Sequence, residues 1–440
     1  MSGRWNRRQF VGSAVAASGL AATMSPGSLA TRQVAAAPAR TQDQVTLRFA
    51  TLSDPGEQGN VEKWLAEFNK DNPNVTVTIE PQSGDYGQKL TVQAASGTLP
   101  DLYWISDQMV PGFAKQGLML NLDESIQKTG LKLTDYYDSM IALGHSGDSQ
   151  YMMPRDYNHL VAFYNLDMFE AAGLEPPKNG WTWDEFTTTV KALTKKEGDQ
   201  TTQFGVDGSN FDWWAITVPA IRGFGGEVVD EAGKVVVNSP EAAKGIAALG
   251  DLMTEGFASG VKGTETENDT FLNGRAAIWL HVRPVAQAIV EASAGKFDWD
   301  AATFPAFPVQ HRVGTGTSGY AISATTQHPD EAWALLSFIV SAKGQEIFSS
   351  TGNAVPVLKS LNEEGVWRNA PEGLENDDAF VLYPEADTLP LETRMPPGAG
   401  GQVDTSRIDL WQRLALGEVD ATQFVEEWAG QIEQAIADNA

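Results

Sequence analysis

The pattern that most constrains this chain is a switch of hydrophobic period near its start. Val45, Leu47 and Phe49 alternate with polar residues; Val61, Trp64, Leu65 and Phe68 recur at helical spacing; Val75, Val77 and Ile79 alternate again. A period of two buries one face of a strand, and a spacing of three to four buries one stripe of a helix. Strand, helix and strand in that order begin a parallel sheet covered by helices. Asn72-Pro73 stops the first helix, because proline cannot continue it. The same logic recurs downstream. Lys89 to Ala95 reads as a helix capped by Gly97, and Asp101 to Ile105 as a strand. Ala162 to Asn165 and Ala276 to Leu280 read as strands; Ala215 to Ile221, Ala242 to Met253, Glu331 to Ile339 and Phe424 to Ile436 read as helices. Thr182-Trp183-Asp184-Glu185 is a capping box, with the Thr hydroxyl and the Glu carboxylate each satisfying a free amide. The fold class is α/β. At 440 residues the chain exceeds one ordinary domain, so two lobes or more are expected.

Composition removes several function classes. The chain has no cysteine, which excludes disulfides, thiolate metal sites, a cysteine nucleophile and lipid attachment through an N-terminal cysteine. Lys and Arg number 31 against 57 Asp and Glu, for a net charge of −26, which argues against nucleic acid or an anionic membrane as main partner. The N-terminus is an address. Arg4 to Ala30 holds no acid; Arg7-Arg8 is followed by Gln9-Phe10-Val11 and a weakly apolar run to Met24. This is the pattern of a Tat-type export signal over residues 1–30. The run is shorter than the ~20 apolar residues a membrane span needs, so no membrane anchor is expected. Ala30 and Ala37 both end small-residue cleavage candidates, and cleavage after Ala30 takes the charge from −26 to −29. Residues 31–43 read as a flexible linker.

The usual catalytic signatures are missing. The five histidines, His145, His159, His281, His311 and His328, show no metal-ligand spacing. No G-x-S-x-G elbow, phosphate loop, G-x-G-x-x-G turn or EF-hand loop occurs, and no cofactor or metal is expected. Glu375-Asn376-Asp377-Asp378 reads as a solvated turn. The chain does carry 13 tryptophans. Indole faces suit the C–H faces of sugar rings, and carboxylates and amides suit their hydroxyls, so aromatics beside acids point to a carbohydrate cleft. Trp183 and Trp333 lie inside helices and read as packing.

Motifs in order then resemble one family. Ala95-Ser96-Gly97-Thr98-Leu99-Pro100-Asp101-Leu102 is similar to the small-Gly-x-x-Pro-Asp signature of the extracellular solute-binding proteins of ABC importers. Met153-Pro154, Ala162 to Phe169, Ala172 to Pro177 and Trp181 to Glu185 resemble the family's central block. Gly225-Gly226 with Asn238 to Glu241, Phe271 to Ile278, and Glu331 to Phe338 followed by Gly344-Gln345, Gly352 and Pro356 resemble its later blocks. The resemblance runs over roughly residues 43 to 440 and is to the sugar-binding branch. It implies a periplasmic-binding-protein fold of type II topology, with two α/β lobes joined by a hinge of crossing strands. The lobes are expected at 44–153 with 310–350, and at 154–309 with 351–440. It further implies a monomeric periplasmic binder that traps a saccharide by closure, hands it to ABC transporter permease subunits, and performs no catalysis.

The resemblance also places candidate ligand residues. Trp104 and Asp107 stand at a sheet's carboxyl edge, where open α/β sheets bind ligands; a helix N-cap is the competing role for Asp107. Asp54 follows the first strand, and Asp85 and Tyr86 precede a helix. Asp156, Tyr157 and Asn158 lie at the first hinge crossing, where the branch carries an acid at the position of Asn158. Trp213 and Trp214 precede a second-lobe helix as candidate stacking platforms. Trp279, His281 and Arg283 stand where many relatives have Gly and an aromatic; Arg283 would match an anionic group or serve as a structural ion pair. Gly316 and Ser318 sit in a Gly-rich stretch over Gly314 to Gly319, a loop that could bring backbone amides to ligand or else part of the hinge, and Arg394 in a loop reaching Gln402. The competing ligands are an anionic sugar, a phosphorylated polyol or a polyamine on the same fold; the competing class is a secreted glycoside hydrolase using two carboxylates.

Overall fold

The computed structural model describes residues 44–438 apart from 54, 84–85, 231, 261–269, 311–312, 351, 353, 370–372, 382–387 and 391–398. The export signal and linker expected before residue 44 lie outside the described residues. Strands β1 (Val45–Leu52), β2 (Val75–Gln82) and β3 (Leu102–Ser106) run parallel in one sheet. A ribbon of β4 (His145–Ser146) and β5 (Ser149–Gln150) precedes β6 (Met152–Pro154). The chain then leaves this sheet through β7 (Asp156–His159) and enters a second one at β8 (Val161–Asn165), followed by β9 (Lys195–Glu197), β10 (Gln200–Asp207), β11 (Ala276–His281) and β12 (Trp299–Thr303). It returns along β13 (Val313–Gly316) into β14 (Ser318–Ile322), and adds β15 (Val355–Pro356) and β16 (Thr388–Pro390). The orders are β2-β1-β3-β14-β6, β12-β8-β11-β10-β9 and β15-β7-β13-β16. Four stretches of chain therefore meet in the third sheet, two of them, β7 and β13, being the crossings between the other two.

Each five-stranded sheet has its own helices. Pro55–Asp71, Pro329–Ile339 and Ala342–Ser349 pack beside the first; Trp64 stacks on Phe348 at 5.7 Å and donates Nε1–H to the Gly344 carbonyl at 2.8 Å. Trp214–Gly223, Pro240–Thr254, Ala399–Ala415 and Ala421–Asp438 pack together beside the second, where Trp411 donates to Thr217 at 2.9 Å. The Thr182 capping box forms with both reciprocal bonds, and Trp183 and Trp333 are buried. Gly314 to Gly319 is extended across β13 and β14, and the loop expected up to Gln402 gives way at Ala399 to a helix. The acidic run at 375–378 leads into a 3-10 turn in which Asp377 and Asp378 pair with Arg368 at 3.1 and 2.8 Å, so it is held rather than merely solvated. Among the described residues no helix is long and apolar enough to cross a membrane.

Single residues join the sheets: Arg155 between β6 and β7, and Thr317 between β13 and β14. Arg155 is largely covered, with 12% of its side chain exposed, and its guanidinium pairs with Glu57 at 2.6 Å and with Asp156 at 3.3 Å. Tyr320 on β14 donates to the other Glu57 oxygen at 2.5 Å, and the guanidinium lies 4.9 Å over Phe348. Burial works against the Arg155 charge, but Glu57, Tyr320 and Asp156 outweigh it and raise its pKa. Thr317 Oγ1 donates to the Asp156 carbonyl at 2.8 Å, and Ser318 N–H to the Asp156 carboxylate at 3.3 Å. One network thus ties a helix start, both crossing segments and the first sheet. Removing one partner of a buried pair leaves a charge without its counter-charge, at a cost of about 3–5 kcal/mol. Glu57→Ala is expected to lower the unfolding free energy by about 3 kcal/mol in urea titration; a loss below ~1 kcal/mol, the scale of an exposed pair, would contradict this.

Candidate functional site

The site begins with two side chains that are absent. A Cβ on Gly314 would stand 2.1 Å from the Ala215 carbonyl oxygen, and one on Gly316 would stand 3.3 Å from Trp214 Cη2 and 3.4 Å from Asp107 Oδ2. Both glycines lie on the same face of β13, and their bareness lets the start of helix Trp214–Gly223 settle on the strand. Gly316 pairs with Asn158 across the antiparallel β7–β13 ladder, and directly opposed residues share a face. Asp107 from the end of β3, Asn158 from β7 and Trp214 from the second lobe's helix therefore converge at Gly316.

Asp107 does not cap the helix Val110–Lys115. It opens a 3-10 turn, with Oδ1 accepting from Gln108 N–H at 2.9 Å and Oδ2 from Thr317 N–H at 3.5 Å. It is 8% exposed. Burial pushes its pKa up to about 7, against the pull of the Gln108 and Thr317 amides and with a smaller push from Asp156. On the same lobe Trp104 meets Tyr86 edge-on at 5.0 Å and has the Arg155 guanidinium 6.0 Å from its ring.

Across the crossing sheet the aromatic wall continues. Trp214 contacts Trp213 at 5.8 Å, Trp213 contacts His281 at 5.3 Å, and His281 contacts Trp279 at 4.5 Å. His281 Nδ1 accepts the Val282 amide at 2.9 Å, so the neutral ring carries its proton on Nε2. Burial drives its pKa down to about 4, which keeps it neutral. Asn210, in the turn before Trp213, donates Nδ2–H to the Leu280 carbonyl at 2.7 Å. Trp104 Nε1, Asn158 Oδ1, Asn210 Oδ1 and Trp279 Nε1 are buried with no hydrogen-bond partner among the described residues. Buried polar atoms are nearly always satisfied, so the orphans opposite Gly316 and in the turn before Trp213 suit polar atoms from elsewhere.

Several sequence-stated candidates stand elsewhere. Tyr157 is one residue out of phase with Asp156 and Asn158 on β7, and strand alternation turns it to the opposite face, where it is 1% exposed and stacks on Tyr137 at 4.6 Å. Arg283 is also 1% exposed: it donates to the Gly352 and Trp367 carbonyls at 2.7 and 2.9 Å, with the Trp367 and Phe380 rings 4.5 and 4.6 Å from its guanidinium. Burial lowers its pKa to about 9. It acts as a structural clamp between these carbonyls and rings. The Tyr86 hydroxyl donates to the Ala50 carbonyl at 3.3 Å, leaving its ring as the part beside Trp104. Trp279 is largely core, stacked on Phe271 at 6.0 Å. Asp156 and Ser318 belong to the Arg155 network described above. Asp54, Asp85 and Arg394 lie outside the described residues. Sequence reading passed over Glu57, Thr317, Tyr320 and Asn210; only Asn210 carried a local signal, a polar turn next to the Trp213-Trp214 pair.

The raised pKa of Asp107 has a sign that can be measured. The folded state holds this proton more tightly than the unfolded chain, so the associated stability is complete below pH ~4 and is lost as pH rises through about 7. At about 1.4 kcal/mol per unit the loss is on the order of 4 kcal/mol at most. Asp107→Asn is expected to flatten the stability profile between pH 4 and 7 relative to the parent protein; an unchanged slope would place the titration elsewhere.

Comparison with known proteins shows the family and the fold. Residues 54–346 match the model of the family described as bacterial extracellular solute-binding protein. A probable ABC transporter-binding protein of Deinococcus radiodurans is 26% identical over 351 residues, 75% of this chain and 80% of its own. The diacetylchitobiose binding protein DasA of Streptomyces coelicolor is 23% identical over 388 residues, 85% and 87% of the two chains. The ABC substrate-binding protein Lmo0181 of Listeria monocytogenes, solved in complex with cycloalternan, superposes with a TM-score of 0.76 at 19% identity, covering 90% of this chain and all of that one.

Proposed function

This chain belongs to the bacterial extracellular solute-binding proteins, and from that membership and the geometry of the crossing sheet we propose that it captures a sugar or oligosaccharide for an ABC importer. The observation that carries the reading is the convergence at Gly316 of a carboxylate, an amide and an indole from three chain segments, beside buried Trp104 Nε1 and Asn158 Oδ1 atoms that lack partners. Carboxylates and amides hold sugar hydroxyls, and indoles cover the apolar ring faces. Two relatives named above are described with saccharides. A ligand that touches Asp107 on one lobe and Trp214 on the other binds the closed arrangement better than the open one, and so shifts the population toward it. The N-terminal twin-arginine segment supports export by the Tat route and release into the periplasm. Delivery to permease subunits, and binding without turnover, follow from the family.

Thermal unfolding of the mature protein with maltotriose, cellobiose or N,N′-diacetylchitobiose tests the reading. A true ligand at a hundredfold excess over its Kd stabilises by about 2.7 kcal/mol. Asp107→Ala and Trp214→Ala are each expected to weaken that ligand about tenfold or more while the proteins stay folded, since each removes a charged acceptor or a stacking face. Unchanged affinity in both variants would move the site. Release of hydrolysis products would replace the binder by a glycoside hydrolase.

A further inference from the structure

The charges around Gly316 are unevenly matched. The Arg155 guanidinium is engaged by Glu57 and Asp156, and the charge that acts on Asp107 is the like charge of Asp156. Asp107 takes only backbone amide donors, from Gln108 and Thr317. The other arginine expected at the cleft, Arg283, is held between Trp367 and Phe380. The Asp107 Oδ2 and the Trp214 indole approach the same point above Gly316, 3.4 and 3.3 Å from where a Cβ would be. Asn158, paired with Gly316 on the same face, adds an independent sign: its Oδ1 is a buried acceptor that no donor among the described residues reaches.

A carboxylate, an amide oxygen without a partner and an indole gathered on the Gly316 face of β13 offer an ammonium group two acceptors and an aromatic neighbour. We propose that the position over Gly316 takes a protonated amine of the ligand, so that the cleft prefers a saccharide bearing a basic nitrogen to its hydroxyl or phosphate counterpart. The proposal rests on the saccharide-binding reading and names the ligand class within it. Asp107 and Asn158 act as acceptors, and Trp214 as the cation's aromatic face. A phosphate at the same point would meet Asp107 and Asp156 as like charges. The burial that pushes the Asp107 proton off only near pH 7 is the condition an incoming cation relieves.

Matched saccharides separate the charge from the skeleton. The mature protein would be titrated calorimetrically at pH 7.5 with cellobiose and its diamino counterpart chitobiose, with glucose, glucosamine and glucose 6-phosphate, and with maltotriose as an amine-free reference. The expected result is that the amine binds about tenfold or more tighter than its hydroxyl twin, that glucose 6-phosphate gives no heat, and that the amine's advantage falls to within about threefold in Asp107→Asn. A hydroxyl twin that binds as well as the amine, binding of glucose 6-phosphate, or an advantage that survives Asp107→Asn overturns the proposal. If maltotriose binds and neither amine does, the proposal fails alone. If none of these saccharides binds, the saccharide reading fails with it.

Discussion

The guanidinium of Arg155 is the joint on which the rest depends. A chain that crosses from one sheet to another and back must keep its crossings in register, or every side chain beyond them changes face. Here each crossing turns on one residue, and the two turning residues, Arg155 and Thr317, meet at Asp156. Glu57 brings the start of the first long helix to the same point, and Tyr320 brings the returning strand. The network is costly to bury, but its parts satisfy one another, which is the condition under which such groups specify one arrangement.

That joint places the cleft. With β7 and β13 fixed side by side, Asn158 and Gly316 face the same way. The bare face of β13 then admits the Trp214 helix on one side and the Asp107 carboxylate on the other. The site is thus made of what the crossing strand lacks as much as of what its neighbours bring. It also lies where the chain crosses between the two five-stranded sheets, so a ligand that touches both sides can couple binding to their relative movement.

Much of the fold was legible because period and caps are local. The first strand–helix–strand unit, the Thr182 box and the helices near 215, 242, 331 and 424 stand where periodicity placed them, within a few residues. The Gly314 to Gly319 stretch, open in sequence to a loop or a hinge, shows the limit: glycines on a strand signal close approach as well as turns, and only the partner, Ala215 or Trp214, tells which. The site was legible in its residue types and less so in its directions. Trp104, Asp107, Asn158, Trp213, Trp214 and His281 line connected walls. Tyr157 faces the other way by one step of strand alternation, and Arg283 is turned to partners, Gly352 and Trp367, that lie about 70 to 85 residues away. Glu57 and Tyr320 had no local signal, since they matter through an arginine distant in sequence.

The central claim is that ligand is held between the lobes at Gly316, in contact with both Asp107 and Trp214. A crystal structure of the mature protein with the saccharide that stabilises it most tests this directly. The account predicts a sugar ring against the Trp214 indole, with polar atoms within hydrogen-bond distance of Asp107 Oδ2 and of Asn158 or Trp104. A saccharide bound by one lobe alone, or seated away from Gly316 with Trp214 and Asp107 untouched, would contradict it.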